Sequence, residues 1–341
     1  MYKQVNILIG SACNMKCSYC LQQNGKSPAD QPSDVEDFAN KLAQILKGSS
    51  PKKIMYWGGE PMLYWKKIKT IHSVLKKNGV VPEKSVFTTN GKLLNDEYVD
   101  YANANKDFFT VISAHDWKFE TERLRLFFRL NQFSFSELIT HKHHDLWETR
   151  KRFYWLWDNF GKRPNLCVHF LRANDGCSPE NYMTKEDVDQ FIHHIGYEIL
   201  PMAVMGDHYA RFAMGQLLFE RNRVINKGDG ALCVRKDVLS IDTHGNVYNC
   251  HHNFETKNIV RNLFNNKVIP IVSADLPDPN RFIKSEECKL CDIFEQCRGG
   301  CYSSNTHEID CYFAKERAKL FELIEWTEKQ INEHEIRNHG N

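Results

Sequence analysis

The chain has 341 residues, of which 26% are charged, and a formal net charge of +2 at pH 7. This near-neutral balance gives no general reason to expect a nucleic acid or an anionic membrane as a partner. No apolar run approaches the roughly 20 residues of a membrane-spanning helix. The N-terminus, MYKQVNILIG, lacks the long apolar region and the cleavage site of a signal peptide. We therefore expect a cytoplasmic protein that binds neither nucleic acid nor membrane.

Short apolar runs alternate with amphipathic helical patterns over the first 200 residues. Six of the runs are predicted to be strands, at residues 5–9, 54–57, 86–88, 108–112, 133–139 and 166–171. A helix after each strand carries the chain back, so the pattern predicts an α/β fold with a parallel sheet. Pattern alone leaves open whether that sheet is a barrel or an open sheet.

Helix ends are also marked in the sequence. Ser33, with Glu36 three residues later, forms a capping-box pattern at the start of the first helix. A later helix is predicted to begin at Asp145 and to end at Gly161. The run of His141, His143 and His144 before Asp145 is consistent either with a metal site or, more often, with a solvated turn.

Distinctive motifs follow the predicted strands rather than precede them. CNMKCSYC follows the first strand, GGEP the second, TTNG the end of the third and SAHD the fourth. In parallel α/β sheets the active site lies at the carboxyl ends of the strands. We therefore expect these loops to converge on one site.

The chain has 12 cysteines, with three in the first 20 residues and seven between residues 233 and 311. Because the chain carries no export signal, metal binding is a better interpretation than a disulfide framework. Three thiolates spaced C-x3-C-x2-C leave one position open, either on a four-iron cluster or on a tetrahedral zinc ion. A zinc knuckle with a distant fourth ligand is the alternative.

The pairing of this triplet with GGEP resembles the radical S-adenosylmethionine (radical SAM) superfamily. The hallmark C-x3-C-xΦ-C, where Φ is aromatic, is matched by Cys13, Cys17, Tyr19 and Cys20. The resemblance covers about residues 1–200 and implies a partial (β/α)6 barrel. It also implies that the three thiolates hold a [4Fe–4S] cluster whose unique iron is chelated by SAM. Reductive cleavage of SAM then yields a 5′-deoxyadenosyl radical that abstracts hydrogen, with an electron donor such as flavodoxin or ferredoxin.

The resemblance also assigns roles in cofactor binding. Tyr19 and the GGEP residues Gly58, Gly59, Glu60 and Pro61 are expected to bind SAM, with Glu60 and nearby carbonyls accepting from its ammonium group.

Residues at the ends of the third and fourth strands complete the predicted site. Asn90 and Ser113 are candidates to meet the SAM ribose or carboxylate, and strand-end capping is the alternative role for both. His115 and Asp116 are candidate acid or base groups.

The later cysteines resemble the SPASM extension of radical SAM enzymes. This resemblance implies two auxiliary clusters and therefore three [4Fe–4S] clusters in all. One auxiliary cluster would be held by Cys288, Cys291, Cys297 and Cys311, and the other by Cys233, Cys250 and Cys301. The fourth ligand of the latter stays open among Asp237, His251, His252, Cys177 and a substrate thiolate.

The sequence predicts four segments. They are a radical SAM (β/α)6 core at 1–200, a helical bridge at 201–228, a SPASM domain at 229–312 and a C-terminal helix at 313–341 that packs on the core.

Three functions are compatible with these features. The first is a maturase of a ribosomally synthesised peptide, forming a crosslink, an epimer or another oxidised feature. The second is an anaerobic sulfatase maturase that forms formylglycine, which the absence of a further cysteine in CVRKDVLS disfavours. The third is a zinc-binding scaffold. Because the first strand starts near residue 5, we expect a peptide substrate either to have its leader bound by a separate protein or to be leader-independent.

Overall fold

The computed structural model describes residues 2–20, 28–48, 51–115, 117, 119–142, 145–171, 177–225, 237–248, 259–265, 286–297 and 307–339. The strands in these residues are β1 Gln4–Leu8, β2 Lys53–Trp57, β3 Lys84–Thr89, β4 Phe108–Ser113, β5 Phe133–Ile139, β6 Leu166–Phe170, β7 Val238–Asp242, β8 Asn246–Tyr248 and β9 Ile259–Asn262. The helices are α1 Val35–Ile45, α2 Trp65–Lys77, α3 Asp96–Ala104, α4 Thr121–Phe128, α5 Leu146–Phe160, α6 Lys185–His193, α7 Leu200–Val204, α8 His208–Ile225, α9 Glu286–Lys289, α10 Phe294–Cys297 and α11 His307–His339.

Two compact units make up the chain. The first comprises Met1–Glu137 and Leu232–Pro277, and the second comprises Leu138–Ala231 and Asp278–Asn341. Among the residues just given, no helix combines the length and the apolar character that crossing a membrane requires.

A sheet with the strand order β5-β4-β3-β2-β1-β7-β8-β9 organises the first unit. Strands β1 to β5 and β7 pair in parallel with their neighbours, whereas β8 and β9 join as antiparallel strands. All six predicted strands are present, with ends within two residues of those expected. The predicted α/β fold with a parallel sheet is therefore confirmed.

Helix α1 begins one residue later than its sequence pattern suggested. Asp34 is its N-cap and accepts from the backbone N–H groups of Glu36 at 3.1 Å and Asp37 at 2.9 Å. The prediction that Ser33 caps this helix was wrong, because its hydroxyl lies 3.0 Å from that of Thr243 in the loop after β7. A long-range hydrogen bond thus replaces the local cap.

The core of the first unit lies between the sheet and its helices. Phe87 and Phe108 on β3 and β4 are buried against Trp65 of α2 and Tyr98 of α3, with the Trp65 and Tyr98 rings 4.9 Å apart. Burying one such large apolar side chain stabilises the fold by about 1.5–3 kcal/mol. This packing fixes the strands whose carboxyl ends carry the motifs.

In the second unit, β6 lies beside the last residues of β5, where the backbone N–H of Leu171 donates to the carbonyl of Ile139 at 2.9 Å. Helix α5 begins after Asp145 and ends at Gly161, which has a left-handed φ of 65°, so both predicted helix ends are confirmed. Helix α11 packs against α6, α7 and α8, and its Ile324 is fully buried.

Candidate functional site

The first cysteine group lies in the loop after β1, at the carboxyl end of the sheet. Cys13 is exposed, Cys17 and Cys20 are half-buried, and none of the three forms a disulfide. The backbone N–H of Cys20 donates to the carbonyl of Cys17 at 3.0 Å, and that of Met15 points to the Cys13 sulfur at 3.4 Å. This one loop therefore presents three thiols, none of which is in a disulfide.

The GGEP segment lies directly against the residues that precede Cys13. The N–H of Gly59 donates to the carbonyl of Gly10 at 3.0 Å, and the N–H of Glu60 donates to the carbonyl of Ala12 at 2.8 Å. A Cβ atom on Gly59 would lie 2.1 Å from the Ala12 oxygen, and one on Gly58 would lie 2.2 Å from the Gly10 oxygen. The two glycines are required because the backbones approach so closely.

Glu60 is 1% exposed, and its carboxylate ties the loop after β2 to the end of β3. One oxygen accepts from the N–H of Met62 at 2.9 Å and from the Thr89 hydroxyl at 2.6 Å, and the other accepts from the N–H of Asn90 at 2.8 Å. Burial raises the pKa of Glu60, and the three donors oppose that rise. The carboxylate thus orders the site, and its expected contact with the SAM ammonium stays a prediction.

Asn90 connects the end of β3 to the cysteine loop. Its side-chain amide donates to the side-chain oxygen of Asn14 at 2.7 Å and accepts from the N–H of Lys92 at 3.0 Å. Asn14 lies within the C-x3-C spacing. The structure therefore places TTNG, GGEP and the cysteines together, as the sequence predicted.

The loop after β4 also reaches the cysteine loop. The ring of His115 meets the ring of Tyr19 edge-on, with centroids 5.2 Å apart. Ser113, the last residue of β4, is half-buried. Asp116, the other candidate acid or base, lies outside the described residues.

Glu137 and Trp117 were missed by sequence reasoning. Glu137 on β5 is fully buried, and its carboxylate accepts from the Trp117 indole N–H at 3.0 Å. Trp117 has a left-handed φ of 47°, which is uncommon for a bulky residue. A glutamate within the apolar run FSFSELI was the signal available, and nothing local pointed to its tryptophan partner.

Burial raises the pKa of the Cys13 thiol, and the charges of Glu60 and Cys17 act in the same direction. A bound iron cluster reverses this effect because a coordinating thiol is deprotonated. In the described part of the chain, no three His, Cys, Asp or Glu side chains converge as a preformed metal site. The fit to a cluster rests on three sulfur donors carried by one loop at the expected edge of the sheet.

The described members of the second cysteine group lie in the second unit. The N–H of Cys291 donates to the carbonyl of Cys288 at 3.3 Å, and Cys297 closes the short helix α10. Burial raises the pKa of Cys311, and the nearby charges of Cys288 and Cys291 raise it further, whereas Lys315 lowers it. Three of the four cysteines expected to share one cluster are therefore within electrostatic reach of one another.

Several predicted ligands can be placed only in part. Cys233, Cys250, Cys301, His251 and His252 lie outside the described residues, as do His143 and His144. Cys177 is buried after β6, and Asp237 lies just before β7, where its carboxylate is 3.8 Å from the Lys3 ammonium. His141 contacts the Asp187 carboxylate at 2.7 Å.

Residues 7–124 match the family model of the Radical SAM superfamily, and this segment contains both CNMKCSYC and GGEP. The chain carries a radical SAM domain. A GTP 3',8-cyclase from Chlorobaculum tepidum is 32% identical over 103 residues, which are 30% of this chain and 30% of that protein. A serine-type anaerobic sulfatase-maturating enzyme from Klebsiella pneumoniae is 31% identical over 97 residues, or 26% of this chain and 24% of the relative. The matches thus span less than a third of these curated relatives.

Solved radical SAM structures share the fold over most of the chain. Native anSMEcpe with bound AdoMet and Kp18Cys peptide has a TM-score of 0.67 at 17% identity, covering 96% of this chain and 99% of that structure. Streptococcus suis SuiB bound to precursor peptide SuiA has a TM-score of 0.60 at 15% identity, covering 89% and 72%. These likenesses confirm the predicted radical SAM fold. The family match covers residues 7–124, and the match to the maturase relative covers 97 residues.

Proposed function

We propose that the chain is a radical SAM enzyme that modifies a peptide or protein, and specifically a maturase of a ribosomally synthesised peptide. The observation that carries the proposal is the three-cysteine loop at the end of β1, fastened to GGEP by the Gly59–Gly10 and Glu60–Ala12 hydrogen bonds. When bound there, a [4Fe–4S] cluster with SAM supplies one-electron cleavage of the sulfonium and a radical that abstracts hydrogen.

We propose separate cluster-binding and SAM-binding roles for the residues of this site. Cys13, Cys17 and Cys20 supply the thiolates, and the GGEP carbonyls accept from the ammonium group of SAM. Asn90 and Ser113 are proposed to contact the SAM ribose or carboxylate.

The loop after β4 is the proposed source of proton transfer. His115 lies beside Tyr19 of the cysteine loop, and Asp116 is the next residue. His115 or Asp116 would move the proton that the substrate loses, because imidazole and carboxylate groups are common general acids and bases in enzymes.

The later cysteines are proposed to bind two auxiliary clusters, which would bring the total to three. Cys288, Cys291, Cys297 and Cys311 would hold one, and this assignment is supported by the electrostatic proximity of Cys311 to Cys288 and Cys291. The other would be held by Cys233, Cys250 and Cys301, with its fourth ligand open. Held by Cys288, Cys291, Cys297 and Cys311, the fully ligated cluster would supply one-electron redox chemistry, which a net oxidation of the substrate requires.

A peptide is the proposed substrate because the structural neighbours include anSMEcpe with the Kp18Cys peptide and SuiB with the precursor peptide SuiA. The two curated relatives have different activities, so their similarity does not indicate which substrate this chain modifies. A separate leader-binding protein, and a flavodoxin or ferredoxin as electron donor, are the proposed partners.

A sulfatase maturase that forms formylglycine is the second candidate. The Klebsiella pneumoniae relative favours it, whereas the absence of an additional cysteine in CVRKDVLS after Cys233 disfavours it. Incubation with a sulfatase-derived peptide and with the precursor peptide encoded nearest the gene separates the two functions. Formylglycine is an aldehyde that a hydrazide probe captures, whereas a crosslinked or epimerised peptide is not captured.

Metal content and a cysteine variant test the proposal as a whole. Three four-iron clusters require about 12 irons per chain in protein prepared without oxygen, whereas zinc without iron would instead support the scaffold function.

We expect Cys288→Ala to lose the modified peptide while it still cleaves SAM, because the variant removes a ligand of an auxiliary cluster only. Cys167→Ala, on β6 and outside both groups, is the matched control. Unchanged product formation by Cys288→Ala would contradict the auxiliary role.

A further inference from the structure

The three residues before Cys13 are held by hydrogen bonds on both sides of the main chain. On one side, the carbonyls of Gly10 and Ala12 accept from the GGEP segment. On the other side, the N–H of Ser11 donates to the Asp30 carboxylate at 2.6 Å, and the N–H of Ala12 donates to the Tyr64 hydroxyl at 2.8 Å. Asp30 and Tyr64 belong to neither cysteine motif nor GGEP, and no local pattern predicted their contact with this loop.

Tyr64 and Asp30 hold adjacent residues of the loop, Ala12 and Ser11. Burial raises the pKa of Tyr64, the hydrogen bond from the N–H of Ala12 lowers it, and the negative charge of Asp30 raises it. The hydroxyl of Ser11 also hydrogen-bonds to Asp30. The Asp30 carboxylate therefore accepts from the Ser11 N–H and the Ser11 hydroxyl, while the Tyr64 oxygen accepts from the N–H of Ala12.

The Tyr64 ring also packs closely against the backbone of Gly10. A Cβ atom on Gly10 would lie 2.4 Å from the Tyr64 ring, so the ring occupies the space that a side chain at Gly10 would need. The loop is thus clamped between the Tyr64 ring and GGEP immediately before the first cysteine.

We infer that Tyr64 and Asp30 are positioning residues that fix the cysteine loop in the conformation that receives the cluster. This inference rests on the proposed function. Fixing a residue's backbone costs conformational entropy, so a loop that is ordered before binding holds its cluster more tightly than a loose one. Neither residue touches the cluster in this account, and both act through the main chain of Ser11 and Ala12.

Tyr64→Phe, Asp30→Asn and Tyr98→Phe provide the test. Tyr98 is the matched control, because its buried hydroxyl lies 2.8 Å from that of Thr110 in the same unit, and its ring packs on Trp65, Phe87 and Phe108. In reconstituted holoprotein kept without oxygen, cluster loss to an iron chelator is followed by absorbance. Unfolding in urea and the change in the electron paramagnetic resonance spectrum on adding SAM are recorded in parallel.

We expect Tyr64→Phe and Asp30→Asn to lose the first cluster faster, by about fivefold for each hydrogen bond removed, and to show a weaker spectral response to SAM. Tyr98→Phe should lose a similar amount of stability with unchanged cluster retention. Equal cluster retention in all three variants would overturn the inference and leave the proposed function standing. Wild-type protein that binds no iron under these conditions would overturn both.

Discussion

The carboxylate of Glu60 illustrates how much of the site depends on a single side chain. It is buried and accepts hydrogen bonds from Met62, Thr89 and Asn90, so it joins three stretches of backbone. A glutamine in its place keeps the size, but its NH2 group cannot accept from the donors that face it.

We expect Glu60→Gln to lower the free energy of unfolding by about 1–3 kcal/mol, since at least one buried donor is left unsatisfied. Urea denaturation at pH 7.5 measures this loss. Glu97→Gln is the control, because Glu97 is exposed and its ion pair with Lys69 lies at the surface. Equal stability of Glu60→Gln and wild type would contradict the role assigned to this carboxylate.

Gly59 offers a second test at the scale of one residue. The Ala12 carbonyl occupies the space where a side chain at residue 59 would lie, because a Cβ atom on Gly59 would be 2.1 Å from the Ala12 oxygen. We expect Gly59→Ala to cost about 3 kcal/mol or more, because both backbones must move, and to reduce the iron bound after reconstitution.

The matched variant for Gly59→Ala is Gly215→Ala in the exposed face of α8, where a Cβ atom would meet nothing within 4 Å. This variant should gain about 0.5–1 kcal/mol, since alanine favours a helix more than glycine does. If both alanine variants bind iron as the wild type does, the close approach at Gly59 is not needed to form the site.

At the scale of elements, a polar cluster joins α2, β3 and the residue before β4. Nε2 of His72 and the Ser85 hydroxyl each lie 2.8 Å from the same Asp107 carboxylate oxygen, and Nδ1 of His72 lies 2.7 Å from the Tyr101 hydroxyl. Burial raises the pKa of Asp107, but the hydrogen bonds from His72 and Ser85 outweigh burial and lower it overall. The cluster lies at the amino ends of β3 and β4, away from the cysteine loop.

A lowered pKa in the folded state means that ionised Asp107 stabilises the fold above its unfolded pKa of about 3.9. That stabilisation is lost as the pH falls through the lower folded-state value. We expect Asp107→Asn to be less stable than wild type by about 1.5–3 kcal/mol at pH 7, with the difference shrinking below about pH 4. Urea denaturation from pH 3 to pH 7 measures it, with the exposed Asp100→Asn as control. A difference that stays constant over this range would contradict the assignment.

The strands and helices of the parallel sheet could be predicted from sequence, because apolar runs and helical periods are local properties. All six strands and the ends of α5 were found this way. The N-cap of α1 was misassigned because Ser33 bonds to Thr243, which is 210 residues away in the sequence. Side-chain partners of this kind depend on the folded arrangement, so they cannot be predicted from a local sequence pattern.

At the scale of the whole molecule, the motifs of the first site were predictable and the residues that support them were not. The cysteine triplet, GGEP and Asn90 come together as expected because each follows a neighbouring parallel strand. Tyr64, Asp30 and Trp117 gave no such signal, since their roles arise from contacts between segments far apart in the sequence. Glu137 was marked only by its place within an apolar run.

The two cysteine groups also differ in where they lie. The first belongs to the first compact unit, and the described members of the second group belong to the second unit. The residues 232–277, expected to belong to the auxiliary domain, contribute β7, β8 and β9 to the sheet of the first unit. The proposed chemistry of each group can therefore be tested by variants that leave the other group intact.

The central claim is that the loop CNMKCSYC binds the cluster at which SAM is cleaved. Purified protein, reconstituted without oxygen and supplied with SAM and dithionite, is assayed for 5′-deoxyadenosine by liquid chromatography and mass spectrometry. We predict that wild type and Cys167→Ala form 5′-deoxyadenosine, and that Cys17→Ala forms none above the level without enzyme. Formation of 5′-deoxyadenosine by Cys17→Ala at the wild-type rate, or its absence with iron-loaded wild type, would contradict the account.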